Sequence, residues 1–124
     1  MDNKVNIYFQ LALDALESAR KTIEIEEYNL SVNRSYYAAF YAASALILKK
    51  TDKLPRRHQG TINQFSLHYI KTKEMEKKYF EILHKLEQDR SDSDYTVLRN
   101  FSKEEAKINI KQAELFIEES KKFL

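Results

Sequence analysis

Tyr36-Tyr37-Ala38-Ala39-Phe40-Tyr41-Ala42-Ala43-Ser44-Ala45-Leu46-Ile47-Leu48 is the stretch on which the fold turns. It is apolar but for Ser44, and its thirteen residues fall short of the roughly 18 that a membrane-spanning helix requires. It reads as a buried core helix. Tyr36, Phe40, Ala43 and Ile47 would lie on one face and Tyr37, Tyr41, Ala45 and Leu48 on another, so the helix is apolar on nearly every side. Several neighbouring helices, or a second subunit, must cover it.

Working outward, Asn29 offers a side-chain oxygen as N-cap for this second helix, which is expected to run to about Lys50. Upstream, Val5, Tyr8, Phe9, Ala12, Leu16, Ala19 and Ile23 recur at three- and four-residue steps and predict a first helix to about Glu27. Downstream, Thr51 to Gly60 holds the only Pro and the only Gly of the chain and reads as an exposed loop. A short helix with Ile62, Phe65, Tyr69 and Ile70 follows, then a longer one from about Glu74 carrying Met75, Tyr79, Ile82, Leu83 and Leu86. Asp89 to Phe101 loses the helical period and reads as a loop or frayed helix end. Ser102 and Glu105 form a capping box that opens the last helix, with Ala106, Ile110, Ala113 and Ile117 inward. The expectation is an all-α, up-and-down bundle of about five helices around a four-helix core, filling residues 1–124 as one domain.

Composition agrees with this reading. The 124 residues suit one core, and a single Gly and Pro are too few for the frequent turns of a β-sandwich or barrel. No Cys is present, which excludes disulfides, thiolate metal sites and cysteine nucleophiles and is what a reducing cytoplasm permits. The N-terminus lacks the basic and then apolar pattern of a secretory signal, so a cytoplasmic location with no membrane span is expected. With 21 Lys and Arg against 19 Asp and Glu, the net charge is not that of a uniformly basic nucleic-acid binder. One Gly also excludes a phosphate-cradling glycine-rich loop.

The string Asn33-Arg34-Ser35-Tyr36-Tyr37-Ala38-Ala39-Phe40-Tyr41-Ala42-Ala43 resembles the signature of HEPN domains, Arg-x-Tyr-Tyr-Ala-x-Phe-x-Ala-Ala. Three further points match in order: His58 with Gly60 opening the third helix, Arg90 ahead of Asp94 and Tyr95 at the end of the fourth, and an acidic start to the last. The resemblance implies a helical bundle, commonly dimeric, often encoded beside a small nucleotidyltransferase with which it forms a toxin and antitoxin pair. It also implies nucleotide or RNA chemistry, since other members bind nucleotides or act as RNases.

Catalytic HEPN ribonucleases carry an Arg followed, after four to six intervening residues, by a His. Here Arg90 meets Tyr95, Thr96 and Val97 at those places, Arg34 meets Ala39, Phe40 and Tyr41, and no other Arg meets a His there. The obvious proton shuttle is missing, so the resemblance implies no catalytic residue in this chain.

Each candidate binding residue has a structural alternative. Asn33, Arg34 and Tyr37 share one helical face and can present an amide, a guanidinium and a phenol to a ligand. The alternative pairs Arg34 with an acid inside the bundle and buries Tyr37. Asp92 and Asp94 are too few for a metal site; Asp94 then becomes an internal partner for Arg34 or a cap, and Tyr95 packs. His58 follows Arg56 and Arg57 in a loop that also holds Lys49, Lys50 and Lys53 against Asp52, a cluster that would attract phosphate or remain a solvated loop. His68 and His84 fall to surface or packing roles, and the remaining aromatics to the core.

The reading that unites these residues is a homodimeric nucleotide- or RNA-binding module that works with a separate nucleotidyltransferase, through Asn33, Arg34, Tyr37, His58, Arg90, Asp94 and Tyr95. It needs no cofactor or metal and has no RNase activity of its own. One rival is an RNase toxin using Arg90 or Arg34 with His58, and another is a purely structural interaction bundle.

Overall fold

The apolar stretch forms the body of a long helix around which the others gather. The computed structural model describes residues 3–95 and 99–124, which contain helices and no strand. The helices are α1 (Asn3–Glu24), α2 (Tyr28–Thr51), α3 (His58–Phe65), α4 (Lys77–Tyr95) and α5 (Lys103–Lys121), with one π-helical turn, Ser66–Ile70, continuing α3.

The expected all-α bundle is found, with α2 packed against α1, α3, α4 and α5. Its alanines have no bulk, so neighbouring helices approach closely on several sides: Ala38, Ala39, Ala42, Ala43 and Ala45 are all fully buried. Leu16 from α1, Phe65 from α3, Leu83 from α4 and Phe116 from α5 complete the core with Tyr36 and Leu46. Complementary side-chain volume fills such an interior at near-crystalline density. One chain thus covers α2 by itself, and the apolar character of this helix is no reason for a second subunit.

Several expected boundaries move, for identifiable reasons. The first helix stops at Glu24 rather than Glu27, because Glu26 takes a left-handed conformation at φ 63°. Asp52 and Lys73 do the same at φ 65° and 64°. This conformation usually falls to glycine, and a chain with one Gly gives no such signal. Asn29 is not the N-cap of α2; that position is Glu27, without a side-chain cap. Asn29 instead accepts from the Phe101 N–H at 2.9 Å and donates to the Arg99 carbonyl at 3.2 Å, tying the start of α2 to the segment before α5. The capping box of Ser102 and Glu105 is present.

The fourth helix begins at Lys77, not Glu74, and continues to Tyr95 through much of the stretch expected to be loop. Asp89 and Arg90 turn inward there, and the ladder Glu87, Arg90, Asp94 sustains the helix on one face. His58 to Gly60 form the first turn of α3 rather than loop. A Cβ on Gly60 would stand 2.8 Å from Pro55 Cβ, so the chain's one glycine admits its one proline against this turn.

Candidate functional site

Three helices bring expected residues together: α2 supplies Asn33, Arg34 and Tyr37, α3 supplies His58, and α4 supplies Arg90 and Asp94, while α2 adds Tyr36. The fold divides these residues into a buried half and an open half.

The buried half centres on Arg90, which is 9% exposed. Its Nη2 donates to both Glu87 carboxylate oxygens at 2.8 and 2.9 Å, and its Nη1 lies 3.6 Å from Asp94 Oδ2. The guanidinium carbon sits 5.0 Å from the centroid of the fully buried Tyr36 ring. Burial opposes the Arg90 charge, but the Glu87 carboxylate more than offsets this and holds the guanidinium even more firmly protonated than usual. Two carboxylates therefore neutralise Arg90, while its Nε is buried without a partner among the described residues.

Tyr36 links this ion cluster to His58, since its hydroxyl and His58 Nδ1 are 3.1 Å apart. The His58 ring also lies 4.3 Å from the Phe40 centroid. Burial, with the neighbouring Glu87 charge adding to it, drives the Tyr36 phenol far above its ordinary range, so it stays neutral. Burial lowers the His58 pKa below its usual 6.5, and the Arg90 charge lowers it further. The imidazole is thus neutral at pH 7.

A pH dependence follows from that direction. Between the lowered folded pKa and 6.5 the unfolded chain binds a proton that the folded chain does not. Stability is therefore retained above pH 6.5 and lost as the pH falls through the folded value. Urea unfolding between pH 7.5 and 5 should show a steeper loss for the wild-type chain than for His58→Gln, and parallel curves would contradict the assignment.

The open half centres on Arg34, which is half-buried. Its Nε and Nη2 donate to Asn33 Oδ1 at 2.9 and 2.7 Å, and its guanidinium carbon lies 4.9 Å from the Tyr37 centroid. Asn33 donates in turn to both Asp94 oxygens, at 3.1 and 3.2 Å. Asp94 is thus a partner of Asn33 and Arg90 and not of Arg34, which corrects the alternative of an Arg34 ion pair. Among the described residues Arg34 pairs with no carboxylate, so its charge is oriented but not cancelled.

The remaining candidates separate from this cluster. Asp92 accepts from Arg99 at 3.1 Å, and no group of three or more His, Asp and Glu that could hold a metal ion occurs among the described residues. The Tyr95 side chain lies outside the described residues, although its backbone closes α4. Lys50 pairs with Glu74, whereas the exposed Arg56 and Arg57 beside His58 enter no ion pair among the described residues. His68 bonds to Gln64 at 3.0 Å and His84 stacks on Phe80, the surface and packing roles expected of them.

Sequence reading missed Glu87, although its three-residue spacing from Arg90 was visible, and missed Tyr36 as the bridge to His58. No helix among the described residues is long and apolar enough to cross a membrane.

A family model described as the HEPN domain matches residues 5–123. Two proteins of Methanocaldococcus jannaschii, each named "Putative toxin", are similar to this chain. One is 32% identical over 116 residues, which cover 88% of this chain and 78% of that protein. The other is 33% identical over 121 residues, covering 98% and 89%. The match runs through every helix that builds the cluster of Arg34, His58 and Arg90, and the chain belongs to the HEPN domain family.

Proposed function

We propose that this chain is the nucleotide- or RNA-binding member of a toxin and antitoxin pair, acting as a homodimer with a separate nucleotidyltransferase and not cleaving RNA by itself. The observation that carries the binding role is Arg34: a guanidinium fixed by Asn33 and Tyr37, with no carboxylate partner among the described residues, on a Tyr37 ring that also meets the neutral imidazole of His58. An arginine fork held in this way keeps N–H donors for phosphate oxygens and matches their geometry. The toxin context draws on the names of the M. jannaschii relatives, and the dimer and the nucleotidyltransferase on the family resemblance.

The other half of the cluster supports the reading that the chain does not cleave RNA. A phosphate near Arg90 would meet the charges of Glu87 and Asp94, so Arg90 is poorly suited to stabilise a transferring phosphoryl group. The His that catalytic members place after this Arg is also missing. One observation favours the enzymatic rival, since Tyr36 connects His58 to Arg90 across the fold.

Isothermal titration with a panel of nucleotides and an unstructured RNA tests the binding role, and recovering that RNA from the cell tests cleavage. The expected outcome is Arg34-dependent binding with the RNA intact after hours. Cleavage that disappears in both His58→Ala and Arg90→Ala would establish the enzyme instead, and no binding of any probe would leave the structural bundle.

A further inference from the structure

We propose that the open half of the cluster is one end of a track for single-stranded RNA, in which Arg34, seated over the Tyr37 ring, takes a phosphate and Tyr41 and Tyr8 each stack one base. The proposal rests on the nucleotide- or RNA-binding reading and names the ligand as a strand rather than a mononucleotide.

Arg34, Tyr37 and Tyr41 stand on one face of α2 at steps of three and four, and Tyr8 of α1 continues the row. Ring centroids are 5.7 Å apart from Tyr37 to Tyr41 and 6.2 Å from Tyr41 to Tyr8. All three rings are half-buried, with one side packed on the core, and the Arg34 guanidinium lies over Tyr37, so Tyr41 and Tyr8 are the rings open to a base. Their hydroxyls form no hydrogen bond among the described residues, unlike the buried phenols of Tyr36 and Tyr69, which bond to His58 and to the Leu46 carbonyl. A row of rings with a fixed inner side and a free polar tip is ready to receive ligand faces from solvent.

The tilt of the rings selects the kind of strand. The planes of Tyr41 and Tyr8 differ by 55°, so bases laid on them must splay apart, which a flexible single strand permits and a stacked duplex does not. Basic groups flank the row: Arg34 lies at one end, and a shallow hollow of about 360 Å³ at the other is lined by Tyr8, Leu48, Leu54 and Lys53, with Asp52 the one carboxylate among the described residues that line it. Aromatic platforms combined with a basic backbone path are how single strands are held without strong sequence preference.

The chain contains eight Tyr and no Trp, so its own tyrosine emission reports base stacking. Uridine monophosphate and 5′-phosphorylated oligouridylates of two, three and four nucleotides serve as probes. Affinity is expected to rise with length up to about one base per ring, and Tyr8→Leu and Tyr41→Leu should each weaken the longer oligomers roughly tenfold. Tyr8→Leu should leave monophosphate binding unchanged, and Tyr8→Phe and Tyr41→Phe should keep wild-type affinity, since the ring and not the hydroxyl does the stacking.

Length-independent affinity that the leucine variants do not alter would overturn the track, while Arg34-dependent binding of the monophosphate would keep the underlying reading. Binding of none of the probes would overturn both. If the leucine variants convert a dimer to monomer without changing RNA affinity, a second copy of the chain covers the row, and the track is likewise refuted.

Discussion

Arg90→Ala should unfold roughly 10 °C below the wild-type chain, since breaking a buried ion pair costs about 3 kcal/mol or more and a domain of this size loses a few degrees per kcal/mol. The side chain of Arg90 is 10% exposed and that of Glu87 22% exposed, so removing the guanidinium leaves Glu87 with little water to replace it. Asp94 loses its cation, and the ring of Tyr36 loses the group that covers it. Arg90→Lys should recover only part of the loss, because an ammonium cannot reproduce the planar contact with Tyr36 while bonding to the carboxylate. Thermal unfolding followed by circular dichroism measures this. At temperatures where the variant is folded, its affinity for RNA should change no more than about threefold. A variant that melts like the wild type yet no longer binds would show that Arg90 contacts the ligand.

How much of this was legible in the sequence depended on whether a signal was local. The apolar run Tyr36 to Leu48 specified a covered central helix, and Ser102 with Glu105 marked the start of α5 because a capping box is written in adjacent residues. The helix stops at Glu26, Asp52 and Lys73 were hidden, since the left-handed backbone there ordinarily falls to glycine and these residues do not advertise it. Asp89 to Tyr95 read as loop by composition, yet buried polar contacts keep it helical: Asp89 accepts from Asn109 of α5 at 3.1 Å, and Arg90 is held by Glu87.

The candidate site divides in the same way. Asn33, Arg34 and Tyr37 came together from helical spacing alone. The meeting of His58 with Arg90 through Tyr36, and the choice of Asn33 rather than Arg34 as the α2 partner of Asp94, depend on how α2, α3 and α4 cross, which no local pattern records, whereas Arg90 and Asp94 stand four residues apart on α4.

Arg34→Ala carries the second large effect, in the opposite sense to Arg90→Ala. No ion pair is broken, and the half-buried side chain contributes to stability mainly through Asn33 and the Tyr37 ring, so the loss of stability should stay near 1 kcal/mol. Charge-assisted hydrogen bonds to a phosphate are each worth about 1.5–3 kcal/mol, and losing them should weaken binding roughly tenfold to a hundredfold. Arg34→Lys should fall between, keeping the charge but not the fork. Binding by the wild-type chain should also weaken as salt rises, through release of the counterions that Arg34 displaces.

The most direct test is a fluorescence-anisotropy titration of one labelled, unstructured RNA with the wild-type chain and with Arg34→Ala at equal, low salt. The arrangement of Arg34 over Tyr37, without a carboxylate, predicts saturable binding by the wild type and at least a tenfold weaker curve for the variant. Superimposable curves, or no binding by the wild type at all, would contradict the assignment of this face as the RNA site.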